Sequence, residues 1–192
     1  FLLYIFLFFC LSGFSQEDLR QKRDEMENTL KDTTGITRIE FYSKISQLYL
    51  MDDAENAIKF AERGLEESKY YDNTDSLEAS LYNCLGRAYL ELKDDRKALR
   101  SFQDELDILE SKPDSEQLMK VLYTVGTIYK SMGRNRKAIE YHERSLELAT
   151  KFQSDYVHNN RLELYENHYE KNDLEEAFKY YMLFMGQEYS EK

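Results

Sequence analysis

His142, His158, His168, Cys84 and a few adjacent carboxylates are the side chains of this sequence that come closest to catalysis or metal binding. A metal site on a helix needs ligands one turn apart, and the ten-residue step from His158 to His168 does not supply that spacing. His142 falls on an apolar helical register and reads as a packing residue. Cys84 would need a base beside it to act as a nucleophile. Its place on an amphipathic helix makes it a small core residue. Glu66 with Glu67, and Glu175 with Glu176, are neighbours in sequence on helical patterns, so they point apart and read as solvated faces. A phosphate-binding glycine loop, a nucleophile elbow and a cluster of metal ligands are all missing from the sequence. The chain is therefore expected to be non-enzymatic and to use no metal or cofactor.

The elements that carry these residues are helical. From Leu122 to Ala149 the chain reads LYTVGTIYKSMGRNRKAIEYHERSLELA, with Leu122, Val125, Gly126 and Tyr129 three and four apart before a Gly-Arg-Asn break. Ala138, Ile139, His142, Leu146 and Ala149 repeat that spacing after it, which predicts two amphipathic helices. Gly126 and Ala138 stand where two backbones must come close. The pattern recurs forty residues earlier, where Gly86, Tyr89, Arg96, Lys97, Ala98 and Leu106 are identical to their counterparts. Further copies run through Tyr42, Ser46, Tyr49, Ala57, Ala61 and Leu65, and through Leu162, Tyr165, Ala177, Tyr181 and Met185. The steps Ala57 to Ala98, Ala98 to Ala138 and Ala138 to Ala177 are 41, 40 and 39 residues. Such a period means a solenoid of helical hairpins.

These residues resemble the tetratricopeptide repeats, whose signature is a small residue and an aromatic three apart in the first helix, then alanine, an aromatic and a small-plus-leucine pair in the second. AIEYHERSLELA from Ala138 is a close match. The resemblance covers about residues 34 to 190 and implies an all-α, right-handed superhelical solenoid of antiparallel helix hairpins. There are departures: Ser46 and Tyr165 replace the first-helix glycine, His142 replaces an aromatic, and Glu105 and Phe184 stand where a small residue is usual. The period also exceeds the usual 34 residues, so longer helices are expected. Four repeats are read at about 34–72, 73–112, 113–152 and 153–192, preceded by a capping helix over 16–33 with a stripe of Leu19, Met26 and Leu30. Asp52 with Glu55, and Asp173 with Glu176, have capping-box spacing. Pro113 suits the first turn of the next helix, and the last helix is expected to run from Leu174 to Tyr189.

In arrays of this kind the first helices line a concave groove, so the resemblance implies a peptide-binding face on them. Here that face would hold Glu40, Ser43 and Gln47, then Asn83 and Arg87, then Lys120, Tyr123, Thr127 and Lys130, then Asn159, Glu163 and Glu166. Arg87, Lys120 and Lys130 would form a basic centre suited to a peptide carrying carboxylates. The clamp of chaperone-binding members is not reproduced.

The remaining expectations concern location and partners. Of the 192 residues 33% are charged and the net charge is -11, which opposes binding to a phosphate backbone, so no nucleic-acid partner is expected. Residues 1–15, FLLYIFLFFCLSGFS, read as the hydrophobic region and small-residue cleavage site of a signal peptide, with an uncleaved anchor as the alternative. Cys10 does not match a lipoprotein acceptor, and further chain is expected upstream of Phe1. The protein is thus expected to be periplasmic, in the cell envelope or secreted, and to bind a protein or peptide partner. Membrane contact would run only through residues 1–15 or through chain beyond Lys192. An alternative reading is the periplasmic sensory input region of a larger tetratricopeptide signalling protein, a histidine kinase or transcription regulator. Tyr180, Tyr181, Leu183, Phe184, Met185 and Tyr189 make the last helix apolar around much of its circumference, which calls for a cover, either a C-terminal segment or a second copy forming a homodimer.

Overall fold

The computed structural model describes residues 16–111 and 115–186. The expected signal peptide with Cys10, the helix-opening role of Pro113 and the place of Tyr189 in the last helix lie outside the described residues. Among those residues there are nine helices and no strand: α1 Gln16–Asp32, α2 Ile36–Tyr49, α3 Ala54–Ser68, α4 Asp75–Glu91, α5 Asp95–Leu109, α6 Glu116–Ser131, α7 Asn135–Lys151, α8 Tyr156–Glu170 and α9 Leu174–Phe184. They fall into two compact units divided between Lys93 and Asp94, in the turn that joins α4 to α5.

In the first unit α2 and α3 form an antiparallel hairpin, with α4 packed against both. The core gathers Leu30 from α1, Ile39, Tyr42 and Ile45 from α2, Phe60 and Ala61 from α3, and Leu81, Cys84 and Leu85 from α4. Cys84 is thus a core side chain, as its register predicts. Ser46, in the place of the family glycine, is buried and donates its hydroxyl to the Ala57 carbonyl at 2.8 Å, so hydroxyl-to-backbone contact replaces the bare glycine. The capping helix α1 is held by Arg23, which shares the stripe of Leu19, Met26 and Leu30. Its buried guanidinium lies 4.5 Å over the Tyr49 ring, donates to the Leu48 carbonyl at 3.0 Å and pairs with Asp52. Tyr49 in turn donates to Glu27 at 2.6 Å, and burial together with that bond pushes its hydroxyl up to about 12.

That ion pair corrects an expectation. Asp52 does not cap α3, because its carboxylate is taken by Arg23. Asp53 is the N-cap, accepting from the Asn56 N–H at 2.9 Å, and this hydrogen bond lowers its pKa. Asp94 caps α5 through the Lys97 N–H, and Ser115 caps α6 through the Leu118 N–H.

In the second unit α6 and α7 form the central hairpin, α5 packs on α6, and α8 with α9 form a further hairpin stacked on α7. Leu118, Met119, Val121, Leu122, Val125, Ile128 and Tyr129 bury one side of α6, and Ile139, Leu164 and Tyr180 join α7, α8 and α9. The alanines that set the period, Ala57, Ala98, Ala138 and Ala177, are all buried to 2% exposure or less. The turns repeat as well: Lys93, Gly133 and Asn172 all take positive φ, at 59°, 69° and 60°. Only Gly133 adopts this left-handed backbone without strain from a Cβ. The last helix is shorter than expected, ending at Phe184 with Gly186 at φ 74°, a left-handed glycine just past the helix end. Asp173 is its N-cap residue, yet its side chain does not cap; it accepts instead from His168 Nδ1 at 3.1 Å.

Candidate partner-binding face

The expected face in the second unit is built by α6 and α8, the first helices of successive hairpins. Lys130 at the end of α6 reaches across to α8, donating to Glu163 at 2.8 Å and also to Glu166. Burial works against the ammonium, but the bonds and charges of the two glutamates outweigh it and raise the Lys130 pKa. The expected basic centre is therefore corrected here. Lys130 carries one charge against two, and Lys120, which is exposed, lies 3.7 Å from Glu116 one turn away on its own helix. Tyr123 is half-buried, with its ring edge-on to His142 at 5.3 Å and to Tyr156 at 5.1 Å. Burial and then the Glu163 charge raise its pKa. Thr127 is exposed and donates to the Tyr123 carbonyl, and Asn159 is exposed near the start of α8.

In the first unit Arg87 is exposed and Asn83 half-buried, both on α4. On α2, Glu40 sits 3.8 Å from Lys44. Ser43 does not face a partner as expected: it is 4% exposed, and its hydroxyl is 2.9 Å from that of Ser80 on α4, to which Gln47 also donates at 3.0 Å. Thus Tyr123, Lys130, Glu163 and Glu166 are brought together.

Beneath them lies a polar cluster of His142, Ser145 and Asn160. His142 is fully buried, as its register predicts, and contacts Asn160 through Nδ1 at 3.3 Å. The Asn160 amide N–H groups go to Ser145 at 3.0 Å and to the Tyr156 carbonyl at 2.8 Å, while Ser145 donates to the Met119 carbonyl at 2.9 Å. That leaves the Asn160 oxygen to accept, so His142 Nδ1 carries the proton and Nε2 the lone pair. Nε2 is 4.0 Å from Glu163, without a hydrogen-bond partner among the described residues. Burial lowers the His142 pKa, against the pull of the Glu163 charge and the Asn160 bond. With neither nitrogen open to solvent, His142 packs beneath the face, against the Tyr123 ring and Asn160. Asn160 was missed; a polar residue thirty-nine positions after the core residue Val121 was the available signal.

Comparison with known proteins follows the repeats. A family profile described as tetratricopeptide repeat matches residues 77–151. The outer dynein arm-docking complex subunit 4 of Homo sapiens is 27% identical over 110 residues, covering 55% of this chain and 16% of that protein, and its Mus musculus counterpart is 26% identical. The chain therefore spans about one-sixth of the length of these relatives. Among solved structures, the apo form of RapI superposes with a TM-score of 0.78 at 17% identity, over 88% of this chain and 48% of that one. MamA gives 0.71 at 19% identity, over 89% of both chains. The nearly identical repeats of a putative kinesin light chain from Podosopora anserina give 0.72 at 12% identity, over 88% of this chain and 87% of that one. At these identities the structures share the fold alone. The repeat period, the buried alanines, the matching profile and the shared all-α fold agree: residues 77–151 are tetratricopeptide repeats, and the described residues share the helical-hairpin fold of such arrays.

Proposed function

We propose that this chain is a non-enzymatic scaffold that binds a protein or peptide partner on its first-helix faces, and that it does so after export to the cell envelope. The observation that carries the binding role is the convergence of Tyr123 and Lys130 from α6 with Glu163 and Glu166 from α8 on one face, with exposed Lys120, Thr127 and Asn159 around them. Two first helices that present polar groups over a buried layer suit an extended or helical peptide. The net charge of -11, with Lys130 already neutralised, favours a partner rich in Lys and Arg. A subunit of a docking complex among the relatives accords with an assembly role. Export rests on the apolar run before Gln16.

The binding reading is tested by selecting peptides from a displayed library against the protein and measuring them on Thr127→Arg. Thr127 is exposed, so the substitution leaves the core intact while filling the centre of the face. At least a tenfold loss of affinity is expected, and equal binding would remove this face from the site. Export is tested by fractionating producing cells and sequencing the N-terminus of the recovered protein. Mature chain that begins near Gln16 in the envelope fraction is expected; intact chain in the cytoplasm refutes it.

A further inference from the structure

Lys130, Glu163 and Glu166 do not balance one another. One ammonium faces two carboxylates, so the group keeps a net negative charge, and the Glu166 side chain is 43% exposed, open to a second cation. The layer below is short of a donor as well. His142 is fully buried, and its Nε2, which carries a lone pair, has no hydrogen-bond partner among the described residues and lies 4.0 Å from a Glu163 oxygen. Two acceptors thus face each other. A donor nitrogen about 2.9 Å from each, the ordinary hydrogen-bond length, fits that separation. The Lys130 ammonium does not serve both, since its bonds go to Glu163 and Glu166.

We infer that Glu163, Glu166 and His142 Nε2 form a subsite for one arginine of the partner, and that Lys130 occupies this subsite until the arginine displaces it. The inference deepens the reading of the α6–α8 face as a peptide-binding surface and rests on it. The chemistry selects arginine over lysine. A guanidinium presents five N–H groups in a rigid plane, enough to reach two carboxylates and a ring nitrogen together, whereas an ammonium is a compact point charge. Arginine is also the cation that stacks best on an aromatic ring, and Tyr123, half-buried beside Glu163, supplies one. Lys130 stands at the end of α6 on a flexible stem, so its ammonium can swing to solvent as the guanidinium enters.

The probes are peptides selected on the protein from a displayed library, each resynthesised with one arginine at a time changed to citrulline, which keeps the shape and removes the charge. On wild type, one position is expected to cost at least tenfold as citrulline and about threefold as lysine. The His142 Nε2 nitrogen resonance should move toward hydrogen-bonded values when the arginine peptide is added and stay in place with the citrulline peptide. Lys130→Met should tighten the arginine peptide at least threefold and leave the citrulline peptide unchanged. Glu166→Gln, at the more exposed carboxylate, should bring the citrulline cost below threefold. If Lys130→Met loses helicity by circular dichroism, Glu166→Gln and the resonance decide alone. Peptides that tolerate citrulline at every position, or an Nε2 resonance that does not move, overturn the inference; the face itself then stands as long as Thr127→Arg weakens binding. Equal binding by Thr127→Arg removes both.

Discussion

At the residue scale, His142 couples the core of the second unit to pH. Burial holds its folded pKa below the usual value near 6.5. Between the two values the unfolded chain binds the proton and the folded chain does not, so stability falls as pH drops below about 6.5, by at most ~1.4 kcal/mol per pH unit. His142→Phe, which supplies the side chain that Phe102 provides one repeat earlier, removes the titrating group. The pH dependence of its melting temperature should be flatter than wild type between pH 6.5 and the folded value, and equal slopes would show that His142 does not titrate on unfolding. Lys130 bears on the same group, since its charge opposes protonation of His142 while that of Glu163 favours it. Lys130→Met should therefore raise the His142 pKa, read from the pH dependence of its ring resonances. The histidine was legible in the sequence as a packing residue. Its contact with Asn160 was not, because two residues eighteen apart on different helices meet only when the hairpins stack.

At the element scale, the α6–α7 hairpin closes through Gly126. A Cβ built there would lie 2.8 Å from the His142 ring, which Asn160 and Tyr123 hold in place, so neither side can yield cheaply. Gly126→Ala gains up to ~1 kcal/mol of helix propensity, but overpacking a buried ring costs about 1–3 kcal/mol, and the second effect should win. Chemical denaturation should show a net loss for Gly126→Ala, largely removed in the His142→Ala background because the clash has gone. Additive effects in that cycle would place the two residues out of contact. That Gly126 is a packing position was readable from its register, but what packs on it, the His142 ring and not a second backbone, was not. The helix ends were less so: Asp53 rather than Asp52 caps α3, since which of two adjacent carboxylates is free depends on Arg23 from another helix.

At the scale of the whole molecule, the net charge of -11 bears on association. Long-range attraction of a cationic partner is screened over about 8–10 Å at physiological salt. Affinity for peptides selected on the α6–α8 face should fall as salt rises from about 50 to 200 mM. Binding indifferent to salt would mean that apolar contacts dominate and that the charge plays no part in choosing the partner.

The sequence by itself determined the helices, their forty-residue period and the alanine and glycine positions that are buried where only small side chains fit, because amphipathic spacing and side-chain size are local properties repeated along the chain. The tertiary structure alone decided which charges remain available. Lys130 looked like the centre of a basic groove until α8 brought Glu163 and Glu166 to it from more than thirty residues away. Ser43 looked exposed until α4 brought Ser80 against it. Polar side chains are neutralised or buried by what stacks on them, and stacking partners are set by the packing of whole hairpins.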